Sequence, residues 1–367
     1  MKIRAAVMHE PHQPLAIETL DLDGPKEGEV LVEMKACGIC HSDQTFIDGF
    51  GPDPNQIPMV LGHEGAGVVV ACGPNVTSLQ VGDHVLLMAM GECGQCPACR
   101  SRKSNLCDAS QVSMASGAAY DGTNRMSLDG RRVYQMAGIG MFATHTVAHE
   151  WNAAKIRKDV PLDVACIASC AVGTGVGAAV SAVRVEVGAS VAVFGLGGIG
   201  LNVVQGARLS GANVIIGIDP NRERDALGRQ FGMTHFIDPR ADDPVAAIRK
   251  LVPGGVDYAF EAVGRGAVVG QALACTHSGW GVATALGVPT EPNVSVGHYD
   301  LLWGRKLLGA SFGGMYPRSD APRLVDWYKQ GLIDFESLIT QRLPLENINE
   351  GFALLRAGKS IRTVITF

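Results

Sequence analysis

The stretch Val191-Ala192-Val193-Phe194-Gly195-Leu196-Gly197-Gly198-Ile199-Gly200 decides the fold. Four apolar residues read as a buried strand, and the small-residue run to Leu209 reads as a helix. Between them the glycines follow the spacing GxGxxG. Alone that spacing is a weak signal, because glycine-rich turns occur in many α/β domains. Here a strand precedes it, a helix follows, and an acid, Asp219, closes the next strand Asn213–Asp219. The physics is specific. Gly195 permits the tight turn, Gly197 lets a pyrophosphate approach the backbone, and Gly200 lets helix and strand pack closely. Gly198 and Ile199 open the helix, whose free N–H groups face the phosphates. Asp219 suits a ribose 2′-hydroxyl and repels a 2′-phosphate, which favours NAD over NADP.

Working outward, RERDALGRQFG has helical composition, and VDYAFEAVG and GVATALGVP continue a strand–helix rhythm through Pro289. That rhythm predicts a doubly wound parallel sheet over 172–311. Residues 1–171 read differently. VLVEMKACGI (Val30–Ile39), EGAGVVVACG (Glu64–Gly73) and QVGDHVLL (Gln80–Leu87) are short β-branched runs between turns, so this part is strand-rich, with Cys40-His41-Ser42-Asp43 ending the early strands. Residues 312–367 return to mixed character and end in the strand-like TVITF.

With 367 residues, the chain is long enough for two or three domains. Hydrophobic residues at 47% allow sizeable cores. The net charge of -5 with no basic tract argues against nucleic acid. No apolar run is long enough to span a bilayer, and the start MKIRAAVMHEPHQPL lacks an export core, so a cytoplasmic protein is expected. Ten cysteines in such a chain suggest metal or catalysis before disulfides.

Cys93-x2-Cys96-x2-Cys99-x7-Cys107 is the sharpest local pattern. Four thiolates on one short loop can close a tetrahedron about zinc with no open position, which is a structural site. An iron–sulfur run starts similarly but needs its fourth cysteine after three residues, followed by Pro; Asp108 follows Cys107 here. A second set is dispersed: Cys40, His63 and Cys170. Two thiolates and an imidazole form a three-ligand zinc site with a fourth position left for water or alcohol. Singly these residues are unremarkable, since a lone His or buried Cys is usually structural. Their joint occurrence carries the weight.

CGICHSD, GHEGAG, VGDHV, CGQCPACRSRKSNLC, DGTNRMS, SCAVGTG, FGLGGIG, GIDPN, ALGVP and SIRTVITF together resemble the zinc-containing medium-chain alcohol dehydrogenases over nearly the full length. The resemblance implies an N-terminal GroES-like catalytic domain, a Rossmann domain, a C-terminal return to the catalytic domain and an active site in the cleft between domains. It implies two zincs per subunit and NAD. The catalytic ligands would be Cys40, His63 and Cys170, with Cys37 structural. Glu64 would lie behind the metal, Asp43 would fix the far nitrogen of His63, and Ser42 would accept the alcohol proton. Thr174 and Ile199 would pack on the nicotinamide, His41 and Arg362 would meet the pyrophosphate, and Arg224 would sit beside the adenosine ribose. The implied chemistry is hydride transfer from a primary alcohol to the nicotinamide, with the reverse reaction reducing an aldehyde.

One departure stands out. Many relatives carry His three residues after the relay residue, where this chain has Thr45, so the proton exit differs. The pocket positions match Ala89 and Met136, with Ala137 beside them. Small Ala89 suits a bulky or aromatic alcohol unless a neighbour fills the gap. The thiol adduct of formaldehyde, S-hydroxymethylglutathione, is a competing substrate, and a nicotinoprotein that retains its NAD is a third reading. It rests on QMAGIG…F…TV (Gln135–Val147) and LENINEGF…RAGKSIR (Leu345–Arg362). A non-enzymatic relative is disfavoured, because Cys40, His63, Cys170 and Asp43 are all retained. A homodimer or homotetramer is expected through Rossmann edge strands near residues 290–310.

Overall fold

The structure is a computed structural model that describes every residue except Pro52 and Pro54. The chain forms two compact units, Met1–Cys170 with Tyr316–Phe367, and Ala171–Met315.

The first unit is built from two β-layers. Lys2–Met8, Ala16–Leu22, Met126–Leu128, Arg131–Gln135 and Met59–Val60 close a small barrel. A second sheet runs in the order Ala153–Ile156, His84–Met88, Glu64–Cys72, Glu29–Gly38, Arg362–Thr366 and Ile339–Pro344, with His145–His149 also pairing Glu29–Gly38. Side chains along Glu29–Gly38 alternate between buried and half-buried over much of the strand, as a sheet with one core face requires. Its core includes Phe142 and Phe352, which meet edge to face. The C-terminal strand lies antiparallel to the strand Glu29–Gly38, pairing Val364 with Gly38 and Ile365 with Cys37. That register delivers Arg362 to the neighbourhood of Cys40.

The early region is not purely β. The strand Glu29–Gly38 stops just before Cys40, and Cys40-His41-Ser42-Asp43 opens a helix there, His41–Ile47, with Cys40 as its N-cap. The Asp43 carboxylate accepts the Cys40 N–H, satisfying an orphan donor and complementing the helix dipole. Seven residues with little apolar periodicity hid this helix from pattern reading.

The second unit carries a six-stranded parallel sheet in the order His235–Ile237, Val214–Ile218, Ser190–Phe194, Tyr258–Glu261, Val282–Ala285, Lys306–Gly309. The strand order reverses about Ser190–Phe194, so the switch point lies at the carboxyl ends of that strand and Tyr258–Glu261. The helix Gly198–Leu209 follows Ser190–Phe194 directly. Among the described residues no single helix is long and apolar enough to cross a membrane.

Candidate active site

Cys40, His63 and Cys170 come from three separate elements, and their ligand atoms lie within 4.8 Å of one another. Cys40 caps the helix His41–Ile47. His63 follows Gly62, whose φ of 93° is left-handed and whose missing Cβ would otherwise sit 2.7 Å from the Phe142 backbone nitrogen. Cys170 ends the first unit's opening segment.

Asp43 organises the set. It is fully buried, and its two oxygens serve three partners. Oδ2 takes the Cys40 N–H at 3.0 Å, while Oδ1 takes the Gly62 N–H at 3.0 Å and lies 3.0 Å from His63 Nδ1. That contact makes Nδ1 the protonated nitrogen and frees the lone pair of Nε2. Nε2 is buried and has no hydrogen-bond partner. A buried imidazole nitrogen without a partner, facing two thiols, is the donor set of a three-ligand zinc centre.

The thiols are polarised accordingly. Cys40 is held well below the usual thiol range, first by its contact with Cys170 and also by the Arg362 guanidinium and His63. Cys170 is pushed up by the same contact and by burial. Cys37 is buried, its thiol points to the Gly38 carbonyl, and it does not join the cluster. Ser42 Oγ lies 3.8 Å from Cys40 Sγ. The Thr45 hydroxyl is committed to the His41 carbonyl of its own helix at 2.9 Å.

Arg362 and Glu64 form a buried ion pair, Nε to Oε2 3.4 Å. Arg362 Nη2 also approaches Cys40 Sγ at 3.9 Å. Burial opposes the guanidinium charge, but Glu64, Cys40 and Cys170 together hold its pKa up. Arg362 is only 3% exposed, whereas His41 is exposed at the helix start. Ala89 is half-buried, and buried Met136 precedes Ala137, which adopts φ 56°.

Cys93, Cys96, Cys99 and Cys107 also gather within 4.8 Å. Cys93 and Cys99 sulfurs are 3.9 Å apart, and those of Cys96 and Cys107 4.0 Å. Thiolates at ~2.3 Å from a tetrahedral zinc stand roughly 3.8 Å apart, so the residues fit the ion. The helix Pro97–Arg100 turns the chain between Cys96 and Cys99.

In the second unit Gly195 takes φ 89°, and a Cβ on Gly200 would collide with the Gly195 carbonyl. Nothing lies within 4 Å of where a Gly197 Cβ would be, so the loop is open on that side. Gly198 is buried at the helix start with half-buried Ile199 beside it. Asp219 Oδ2 accepts the Leu196 N–H at 2.7 Å and Oδ1 the Asn221 N–H at 2.7 Å. Arg224 is half-buried near Asp219, its pKa lowered by burial against that carboxylate's pull. Thr174 is buried on the helix Ala171–Gly177.

The fold and these clusters define a zinc-binding alcohol dehydrogenase architecture. Residues 26–158 match the alcohol dehydrogenase GroES-like domain, and residues 198–330 match the zinc-binding dehydrogenase domain. S-(hydroxymethyl)glutathione dehydrogenase of Paracoccus denitrificans is 45% identical and alcohol dehydrogenase class-3 of Cereibacter sphaeroides 46% identical, each over 100% of both chains. The crystal structure of benzyl alcohol dehydrogenase from Acinetobacter calcoaceticus superposes with a TM-score of 0.93 at 33% identity, covering 100% of this chain and 99% of that one. The chain belongs to the zinc-containing medium-chain alcohol dehydrogenase family.

Sequence reading missed two features. Arg125, 2% exposed, is clasped by Glu29 and Asp121. A run of left-handed residues, Phe312–Gly314, abuts the Thr174 helix. The first left no local signal, because Glu29 and Arg125 are far apart in sequence; the Gly313-Gly314 pair was visible.

Proposed function

We propose that this chain is an NAD-linked, zinc-dependent dehydrogenase that oxidises a primary alcohol to an aldehyde. The observation that carries the proposal is the Cys40–His63–Cys170 cluster, with Asp43 directing His63 Nε2 toward the two thiols. Three protein ligands leave a fourth position for substrate, which distinguishes a catalytic from a structural zinc. Zinc bound there supplies a Lewis acid that favours deprotonation of the alcohol and polarises the aldehyde.

The chain's own residues do the rest. Ser42 takes the alcohol proton. The Thr45 hydroxyl is engaged with the His41 carbonyl of its own helix, so Thr45 does not carry the proton onward from Ser42. Glu64 and Arg362 balance charge behind the ligand set, and His41, exposed at the helix start, offers a ring N–H to the pyrophosphate. Thr174 and Ile199 orient the nicotinamide, the loop Gly195–Gly200 receives the pyrophosphate, and Arg224 supports the ribose. A carboxylate has about four acceptor sites. Asp219 spends two on backbone N–H groups and keeps the others for the ribose diol, which selects NAD. Ala89 and Met136 line the alcohol pocket. Exposed Tyr299, Leu302, Trp303 and Leu308, at and before the edge strand Lys306–Gly309, favour a homo-oligomer.

A second substrate reading has its own support. The relatives at 45% and 46% identity include an S-(hydroxymethyl)glutathione dehydrogenase, which favours a thiol adduct of formaldehyde. Initial rates of NADH formation from benzyl alcohol, and from formaldehyde with glutathione, separate the two. Turnover of benzyl alcohol alone supports the first reading, and turnover of the adduct alone the second. NAD that survives purification, with turnover only when an external acceptor is added, assigns the chain to the nicotinoproteins.

A further inference from the structure

Thr174 sits on a helix whose backbone is gripped from two sides. The helix Ala171–Gly177 continues as a π-helical turn, Ala178–Ala182. Wide turns of this kind are rare and concentrate at functional sites. On one side, a Cβ on Gly175 would collide with the Ile199 carbonyl oxygen. On the other, the turn Ser311–Gly314 presses against the helix where it widens. Phe312, Gly313 and Gly314 in succession have φ of 47°, 59° and 70°. A Cβ on Gly313 would lie 2.5 Å from the Thr174 carbonyl oxygen and 2.6 Å from both the Gly173 carbonyl oxygen and the Ala178 nitrogen. A Cβ on Gly314 would meet Ala182 first, and no closer than 3.2 Å.

The two adjacent glycines therefore share a backbone conformation that disfavours any Cβ, and only one of them touches the Thr174 peptide. Left-handed backbone at a bulky residue such as Phe312 carries strain, which persists where the surroundings over-determine it. We infer that Gly313 is a positioning residue: it sets the height of the Thr174 backbone, and through Thr174 the depth at which the nicotinamide lies. This rests on the reading of Thr174 as a nicotinamide contact. Gly175 fixes the same helix against Ile199, the other residue assigned to that ring. A sub-ångström shift of the helix then moves the hydride acceptor relative to the alcohol carbon, and misplacement by about 1 Å costs on the order of a hundredfold in rate.

The test compares Gly313→Ala with Gly314→Ala in the zinc-loaded, full-length protein. Both add a Cβ at positive φ, so loss of turn stability alone lowers the melting temperature of both and leaves their kinetics alike. The inference predicts that Gly313→Ala lowers kcat about tenfold to a hundredfold and raises KM for NAD, while Gly314→Ala changes either by less than about threefold. Thr174→Ala and the double variant Gly313→Ala/Thr174→Ala complete the set. Adding Gly313→Ala to Thr174→Ala should cost little more, because both act through one contact. Equal kinetics of the two glycine variants, or fully additive losses in the double variant, overturns the inference and leaves the Thr174 reading intact. A Thr174→Ala protein with unchanged KM for NAD and unchanged kcat overturns both. Should Gly313→Ala not fold, Phe312→Gly, which loosens the same turn without adding a Cβ, takes its place against Gly314→Ala by the same criterion.

Discussion

Asp43 Oδ1 lies 3.0 Å from His63 Nδ1 and also accepts the Gly62 N–H one residue earlier. A single carboxylate thus fixes both the tautomer of the imidazole and the turn that presents it. Its other oxygen caps the helix that begins at Cys40. Two of the three proposed zinc ligands are therefore oriented by one buried group, and the order of the site depends on it.

Asp43→Asn keeps the size of the side chain but replaces an anionic acceptor with a neutral amide. Outer-shell partners of ligating histidines are worth 10- to 100-fold in metal affinity. Competition with a chelator should show about that weakening at one of two zincs, with the other unaffected. Unchanged retention of both would mean that Asp43 does not govern His63.

The four-cysteine loop predicts a separate loss. Cys107 is fully buried, and its removal strips a closed site whose binding free energy is partly folding free energy. Cys107→Ala should lower the thermal midpoint and release one zinc. Activity per remaining zinc, measured below the new midpoint, should stay close to that of the parent.

Asp219 is predicted to select the cofactor. Asp219→Ala removes a charged acceptor, and hydrogen bonds to charged groups contribute about 1.5–3 kcal/mol. KM for NAD should rise by roughly tenfold or more, and the ratio of kcat/KM for NADP over NAD should increase. Steady-state kinetics with both cofactors checks this, and an unchanged ratio contradicts it.

Arg125 makes a stability prediction remote from the chemistry. Its Nε donates to Glu29 Oε2 at 2.8 Å, and both side chains are buried. Arg125→Met leaves the Glu29 carboxylate uncompensated, which costs about 3–5 kcal/mol. Chemical denaturation should show that loss while KM and zinc content stay unchanged. Burial pushes Asp121 up, but hydrogen bonds from Thr123, Lys26 and Arg125 overcome it and hold its carboxyl below the usual range. A lowered folded pKa stabilises above the unfolded value of about 4 and is lost as pH falls below it. The variant should therefore lose less stability than the parent as pH falls from about 5 down through the depressed pKa of Asp121.

The legible parts of this protein were those written in local spacing. GxGxxG between strand and helix, with Asp219 closing the next strand, announced the parallel sheet. Cys93, Cys96, Cys99 and Cys107 announced their own cluster, because a short loop cannot keep four such residues far apart. The triad Cys40, His63 and Cys170 rested on joint occurrence and on resemblance, since no local period links residues so distant in sequence. The helix His41–Ile47 escaped because its start is set by the Asp43 cap rather than by an apolar face. Arg362 seated against Glu64 and Cys40 depends on strand register, in which Val364 pairs with Gly38; that register is a tertiary fact with no sequence period of its own.

Elemental analysis of zinc per subunit, on protein purified without chelator or added cofactor and paired with NADH formation from alcohol, decides whether Cys40, His63 and Cys170 hold a catalytic zinc. The parent protein should hold two zincs, and Cys170→Ala should hold one in a folded protein that no longer forms NADH. One zinc in the parent protein, or full activity in Cys170→Ala, would contradict the assignment of Cys40, His63 and Cys170 as the catalytic site.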